Sequence, residues 1–240
     1  MTSSNRNPIS ILAVVTLLLA LAAVATLITA AVGTRADWWH FTTGLDVATW
    51  AIYLAIAATL AGLGGFYTAR PAGCRSGISL VIAGLVLSVP LVGAGAHFEY
   101  AAGAYPPIND VTTDPDDPPT FWEVPDPQTY PGGETAELQR EGYPDLGPLL
   151  LDHAPDTVFE RAEVLAEERG WEIVSAMNGE LEAIDTTFLF GFEDYVMVRV
   201  LPEGDGARVD MRSYSRLGQI DRGVNATRIR SFLDDLERAL

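Results

Sequence analysis

Three long apolar segments dominate the first hundred residues of the chain. Ile9–Val32 has 24 consecutive residues without a charge, and Val47–Phe66 and Gly77–Ala96 have 20 each. An α-helix rises about 1.5 Å per residue, so each segment is long enough to cross a hydrocarbon core of roughly 30 Å. The pattern therefore predicts three transmembrane helices.

The hydrophobic pattern changes from continuous to alternating in the last third of the chain. Apolar side chains recur every third or fourth residue before Gly170 and again after Asn225, which is typical of amphipathic helices, and Asn225 is a favourable residue to cap the second of them. Four segments between these helices have the composition or alternation of β-strands: Trp171–Met177, Glu180–Thr187, Tyr195–Leu201 and Arg208–Ser215. We expect a membrane all-α region followed by an α+β domain with the order helix, four-stranded antiparallel sheet, helix.

These patterns divide the chain into three parts. Residues 1–98 form the predicted three-helix membrane region, and residues 149–240 form the α+β domain. Residues 99–148 are rich in Pro and Asp, and we expect them to form an extended segment, because Pro-Pro pairs stiffen a chain.

The charges of the short loops predict the orientation. Arg6 precedes the first apolar segment, and the loop before the third holds Arg70 and Arg75 without an acidic residue. The loop 33–46 holds Arg35 together with two aspartates. Because arginines are enriched in cytoplasmic loops, we expect a cytoplasmic N-terminus and, after three spans, a domain on the other side of a bacterial inner membrane.

Charge is distributed as unevenly as hydrophobicity. The chain has a net charge of −17, yet residues 97–240 carry eleven arginines against thirty acidic residues, a net of −19. The chain has no lysine, as expected of a protein from a saline environment or a GC-rich genome. Such an acidic domain excludes nucleic acid as a partner. The single cysteine, Cys74, also excludes an internal disulfide.

Two motifs in the C-terminal half resemble a known family. The N-terminal motif is PPINDVTTDPDDPPTF at 106–121, and the closing motif lies within VDMRSYSRLGQIDRGVNATRIRSFLDDL at 209–236. Both resemble the bacterial and plastid family called domain of unknown function 1499, whose closing motif is R-S-x-S-R-x-G-x-x-D-x-G-x-N-x-x-R-I. The resemblance implies a family often attached to membrane spans and without an established activity.

The closing motif contains the strongest candidate for a binding site. Arg212, Arg216 and Arg228 lie near the start of the last helix, together with Ser213 and Ser215. Arginines near a helix N-terminus favour anionic groups, so an anionic lipid or envelope polymer is the expected ligand. The alternative is that these arginines pair with the domain's own carboxylates and hold the N-terminal motif on the core.

Other polar residues suggest weaker sites. Asp114, Asp116 and Asp117 could bind a hard cation such as Ca²⁺, or they could form a solvated Asp-Pro turn. The motif residues Asp221, Gly223 and Asn225 are expected to be structural. We expect no cofactor and assign no catalytic residue.

Three functions are compatible with these observations. The favoured hypothesis is a membrane-anchored module that binds an anionic envelope component. The second is an envelope scaffold or assembly protein whose spans are the working part. The third is an enzyme that uses the 212–228 segment, although the serines have no histidine nearby in sequence and no nucleophile-elbow pattern.

Overall fold

The computed structural model describes residues 7–69 and 75–240, so Arg6, Arg70 and Cys74 lie outside the described residues. The chain divides into two compact units. One unit contains the residues up to Tyr100 together with Leu189–Gly191. The other contains Ala101–Phe188 and Phe192–Leu240.

The first unit consists of three helices, α1 (Ile11–Arg35), α2 (Phe41–Ala69) and α3 (Ile78–Ala104), of which the last four residues belong to the second unit. All three are long and apolar enough to cross a membrane, which confirms the predicted helices. They contain 25, 29 and 27 residues, more than the roughly 20 that a bilayer core requires. Hydropathy detects only the apolar middle of a helix, so the sequence pattern missed terminal residues of all three helices.

Small residues allow the helices to approach closely. The buried residues of α2 are all alanine or glycine, and they follow a helical spacing: Gly44, Ala51, Ala55, Ala58, Gly62, Gly65 and Ala69. Across the contact between α2 and α3, the Thr59 hydroxyl donates a 3.0 Å hydrogen bond to Oγ of the fully buried Ser88. Close backbone approach and hydrogen bonds between helices are the main sources of helix association in lipid.

The second unit is built on one antiparallel sheet of six strands, not the four predicted. The strands and helices that follow α3 are β1 (Asp110–Thr112), α4 (Gly133–Gly142), β2 (Leu149–Leu151), α5 (Pro155–Glu168), β3 (Glu172–Met177), β4 (Glu180–Thr186), β5 (Glu193–Glu203), β6 (Gly206–Ser215) and α6 (Val224–Arg238). The strand order is β1-β6-β5-β4-β3, and β2 also pairs with β6.

The two strands that the sequence pattern missed are β1 and β2. Each has only three residues, too few for an alternation of apolar and polar side chains to be recognised. Both pair with β6. The paired residues are about 100 positions apart for β1 and about 60 positions apart for β2, so the conformation of both strands depends on contacts distant in sequence.

The sheet buries both of its faces. Val196, Val198 and Val200 of β5 pack in the main core with side chains of α5 and α6, including Phe232, whose ring stacks on Trp171 at 5.1 Å. The alternate side chains of β5 face the other way, where Tyr195 and Met197 pack with Phe121 and Val124. The chain that precedes α4 thus covers the sheet face opposite the helices.

Replacing Gly84 with alanine should weaken the packing of α3 against α1. A Cβ atom at Gly84 would lie 2.6 Å from Cγ2 of Thr16 and 3.0 Å from its carbonyl oxygen. We expect Gly84→Ala to lower the unfolding temperature of the full-length protein in detergent. Gly93→Ala is the matched control, because a Cβ there has no neighbour within 4 Å and alanine is favoured in helices by roughly 0.5–1 kcal/mol. A rise in both variants would contradict the close packing.

Candidate functional site

Arg212, the first arginine of the closing motif, is buried in an ion pair. Its Nε donates to Oδ1 of Asp110 at 2.9 Å and its Nη2 donates to Oδ2 at 2.7 Å. Both side chains are only 1% exposed. The carbonyl oxygens of Pro119 and Gln128 accept further hydrogen bonds from the guanidinium, whose carbon lies 4.7 Å from the centre of the Phe121 ring. Arg212 therefore joins β6 to the N-terminal motif.

Arg228 is the centre of a second buried network. Its Nη2 donates to Asp194 at 2.6 Å and its Nε donates to Asp185 at 2.8 Å. Its Nη1 donates to Oγ of Ser213 and to Oδ1 of Asn225. Burial raises the pKa of Asp194, and the charge of Arg228 opposes the rise. The network connects α6 to β5, β6 and the end of β4.

The two serines of the motif belong to the same network. Ser213 Oγ lies 2.7 Å from Oδ1 of Asn225, and because an amide oxygen only accepts, the serine donates its proton there. The Asn225 amide group in turn donates to Ser215 Oγ at 3.0 Å and to the Asn109 carbonyl at 2.9 Å. Ser213 is fully buried and Ser215 nearly so. The hydrogen-bond partners of Ser213 are the Asn225 amide and the Arg228 guanidinium, neither of which can act as a general base.

The start of α6 is capped by Asp221 rather than by Asn225. Oδ1 of Asp221 accepts the Gly223 N–H at 2.8 Å, and Oδ2 accepts the Asn225 N–H at 2.9 Å. Gly223 has φ +81°, a conformation that L side chains rarely adopt. Burial raises the pKa of Asp221, and the two N–H groups oppose the rise. The predicted cap at Asn225 was wrong because that side chain is directed into the buried network.

The expected anion site is largely filled by the protein's own carboxylates. Unlike Arg212 and Arg228, Arg216 is not buried. Its side chain is 48% exposed, and its Nη1 contacts Glu193 at 2.5 Å on the surface. An external anion would have to displace buried carboxylates to reach Arg212 or Arg228. The contacts therefore favour the alternative that these two arginines are structural.

The three aspartates considered for a metal site form hydrogen bonds and ion pairs instead. Oδ1 of Asp114 accepts the N–H groups of Asp116 and Asp117 at 3.0 and 3.1 Å. Burial by itself would raise the pKa of Asp114, but these bonds and Arg208 outweigh it and hold the pKa below its usual value. The ion pairs are Asp114–Arg208, Asp116–Arg140 and Asp117–Arg199. Among residues 7–69 and 75–240, no group of three His, Cys, Asp or Glu residues is placed to hold a metal.

Sequence reasoning missed two buried polar residues that position the N-terminal motif. Glu182 of β4 accepts three consecutive backbone N–H groups, those of residues 122–124, at 2.7 to 3.0 Å. Gln139 of α4 exchanges two hydrogen bonds with the backbone of Thr112, so its amide covers the edge of β1. Alternation in β4 places Glu182 away from the main core, but nothing in the sequence indicates that irregular chain covers that face.

A shallow cleft of about 360 Å³ lies between residues 145–149 and the C-terminal half of α6. Leu146, Leu149 and Leu233 form its apolar part, and Asp145 and Arg230 pair across it at 2.6 Å. None of the residues expected to bind an anion or a metal lines this cleft.

Comparison with known proteins agrees with the resemblance seen in the two motifs. The model of the family described as "Protein of unknown function (DUF1499)" matches residues 110–236. This range begins with β1 and ends within α6, so it contains all six strands of the sheet. Comparison with curated proteins finds no match to the chain.

Arg212→Gln should destabilise the second unit by about 3–5 kcal/mol, because it leaves the buried carboxylate of Asp110 without its partner. Arg216→Gln is the matched control and should cost about 0–1 kcal/mol, since its ion pair is exposed. Guanidinium unfolding of the full-length protein in detergent, followed by near-ultraviolet circular dichroism, measures both.

The double variant Arg212→Met with Asp110→Leu provides a further control. Removing both charges leaves neither unpaired, so this variant should be more stable than Arg212→Gln. Equal losses for Arg212→Gln and Arg216→Gln would contradict a structural role for the buried pair.

Proposed function

The chain belongs to the DUF1499 family, and on this premise we propose that it is a multi-pass protein of a bacterial inner membrane that holds an interaction domain at the extracytoplasmic surface. The domain works by binding or assembly rather than by catalysis. The observation that carries the proposal is the buried network around Arg228, in which the polar side chains that could form an active site contact one another.

The membrane part of the proposal is supported by α1–α3 and by the loop charges. The three helices are long and apolar enough to span a bilayer. Arg6, before the first apolar segment, and Arg70 and Arg75, in the loop before the third, favour a cytoplasmic N-terminus. Trp38, Trp50 and Tyr100 are exposed residues that this orientation would place near the outer interface, where amphipathic rings are favourable.

The proposal that the domain is not catalytic is supported by the hydrogen bonds of Ser213. A serine becomes a nucleophile when an adjacent base takes its proton. The proton of Ser213 is donated to an amide, and its oxygen accepts from the guanidinium of Arg228, which cannot act as a base. In the same contacts, Ser213, Asn225 and Arg228 satisfy one another's hydrogen bonds.

An anionic lipid or envelope polymer remains a candidate partner through one residue. Arg216 is exposed, whereas Arg212 and Arg228 are buried, and its pairing with Glu193 lies at the surface, where an ion pair contributes little and can exchange partners. Binding that depends on Arg216 alone would be weak and salt-sensitive.

Cysteine labelling tests the orientation. A membrane-impermeant maleimide should label the native Cys74 in inside-out membrane vesicles and leave it unlabelled in right-side-out vesicles. The variant Cys74→Ser with Glu137→Cys should give the reverse pattern, since Glu137 is an exposed residue of α4. Labelling of Glu137→Cys from the cytoplasmic side would overturn the proposed orientation.

A serine-directed fluorophosphonate tests the non-catalytic role. We expect the full-length protein in native membranes to remain unlabelled, because Ser213 and Ser215 are buried. Ser213→Ala and Ser215→Ala are the controls. Labelling of the unmodified protein that either variant abolishes would show an activated serine and would contradict the proposal.

A further inference from the structure

The cleft beside α6 is lined on one side by a single stripe of that helix. Arg230, Leu233, Asp234 and Glu237 follow one another at the spacing i, i+3, i+4, i+7, which places them on the same helix face. The other wall is the segment 145–149. All of these residues belong to the second unit, so the cleft is a feature of that unit alone. We call it the α6 cleft.

Part of the α6 cleft is apolar and open. Leu146 and Leu149 are partly buried against the main core, and Leu233 is only 9% exposed. Gly147 and Pro148 lie between the two leucines, and a Cβ atom at Gly147 would have no neighbour within 4 Å. The glycine therefore leaves space that a side chain from another molecule can occupy.

The 145–149 wall is tied to α6 by a bidentate ion pair. Nε and Nη2 of Arg230 donate to the two carboxylate oxygens of Asp145 at 2.6 and 2.7 Å, and the guanidinium carbon lies 5.2 Å from the centre of the Tyr143 ring. The Leu146 N–H donates to the Tyr143 carbonyl at 3.1 Å. A cleft whose walls are already held loses less conformational entropy when a partner binds.

Two carboxylates on the rim of the α6 cleft are available to a cation. Within residues 7–69 and 75–240, Asp234 and Glu237 form no ion pair, whereas Asp235 between them pairs with Arg169 and Arg238. The residues that line the cleft include three carboxylates and one arginine, a net charge of −2. A positive charge placed beside an apolar group would therefore complement the cleft.

The shape of the α6 cleft favours a polypeptide over a small molecule. Its volume of about 360 Å³ is near the lower end of the roughly 300–1,000 Å³ of small-molecule sites, which bury most of their ligand. A shallow cleft leaves a small ligand exposed, but a chain that crosses it can continue over the surface on both sides. Leu149 also belongs to β2, which pairs with β6 and with no other strand of the described residues. An extended chain can pair with such a strand edge.

We propose that the α6 cleft binds a basic, extended segment of a partner protein. Apolar side chains of the segment pack against Leu149 and Leu233, and its lysine or arginine side chains pair with Asp234 and Glu237. The net charge of −19 on residues 97–240 would attract such a segment over a longer range. The inference rests on the proposed function and deepens it, because it gives the interaction domain a site and a class of partner.

Fluorescence anisotropy with a model peptide tests the site. The full-length protein is reconstituted in phosphatidylcholine nanodiscs, and the probe is a fluorescein-labelled heptapeptide with three arginines and two leucines. Empty nanodiscs measure the background from peptide that binds lipid. We expect saturable binding that weakens as the salt concentration rises. One comparison peptide has glutamine in place of arginine, another has serine in place of leucine, and both should bind more weakly.

Two variants locate the binding in the cleft. Asp234→Asn with Glu237→Gln should weaken binding roughly tenfold, because each exposed ion pair contributes a few-fold. Gly147→Phe should abolish binding, because the new side chain fills the open space. Glu160→Gln with Glu167→Gln is the matched control, since it removes the same charge from exposed positions of α5 outside the cleft. Thermal unfolding shows whether each variant is folded like the unmodified protein.

Several results would overturn the inference. Equal losses in the two double variants would show a diffuse attraction to the acidic surface, and full affinity in a folded Gly147→Phe variant would show binding elsewhere. Equal binding of the glutamine and arginine peptides, competition by spermine as effective as that by unlabelled peptide, or no saturable binding would count equally against it. None of these results affects the cysteine and fluorophosphonate labelling, so failure of the cleft and failure of the proposed function are distinguishable.

Discussion

The ion pair between Arg212 and Asp110 is the interaction on which the rest of the second unit depends. It joins the long strand β6 to the short strand β1, and the remaining guanidinium donors bind carbonyls of residues 119 and 128. Because the segment after β1 is rich in Pro and Asp, it has little local preference for regular structure, and contacts of this kind hold it in place. Desolvation of the two charges is costly, and it is offset because four acceptor oxygens, two of Asp110 and the carbonyls of residues 119 and 128, surround one guanidinium.

Once the segment is held, it completes the fold. Phe121 and Val124 cover the face of the sheet that α5 and α6 leave open, and Glu182 satisfies the N–H groups that this irregular chain could not pair by itself. The network around Arg228 has the corresponding role at the start of α6. In this chain, Arg212, Ser213, Asn225 and Arg228 of the closing motif are thus buried polar residues, and such a network is favourable when all of its hydrogen bonds are satisfied.

This arrangement changes where the function should be sought. A motif rich in arginine and serine favours a ligand site when it is considered as sequence, but in the folded domain its side chains bind one another. The cleft between residues 145–149 and α6 lies outside these networks.

The sequence by itself determined those features that depend on neighbouring residues. Long uncharged segments identified the three helices, and local periodicity identified β3 to β6 and the helices on either side of them, because a helix or a half-buried strand leaves its period in consecutive side chains. Only the tertiary structure decided the partners of Arg212, Glu182 and Gln139, and the presence of β1 and β2. These depend on pairs separated by up to about a hundred residues, and a carboxylate that will accept an arginine has the same local sequence signal as one that faces water.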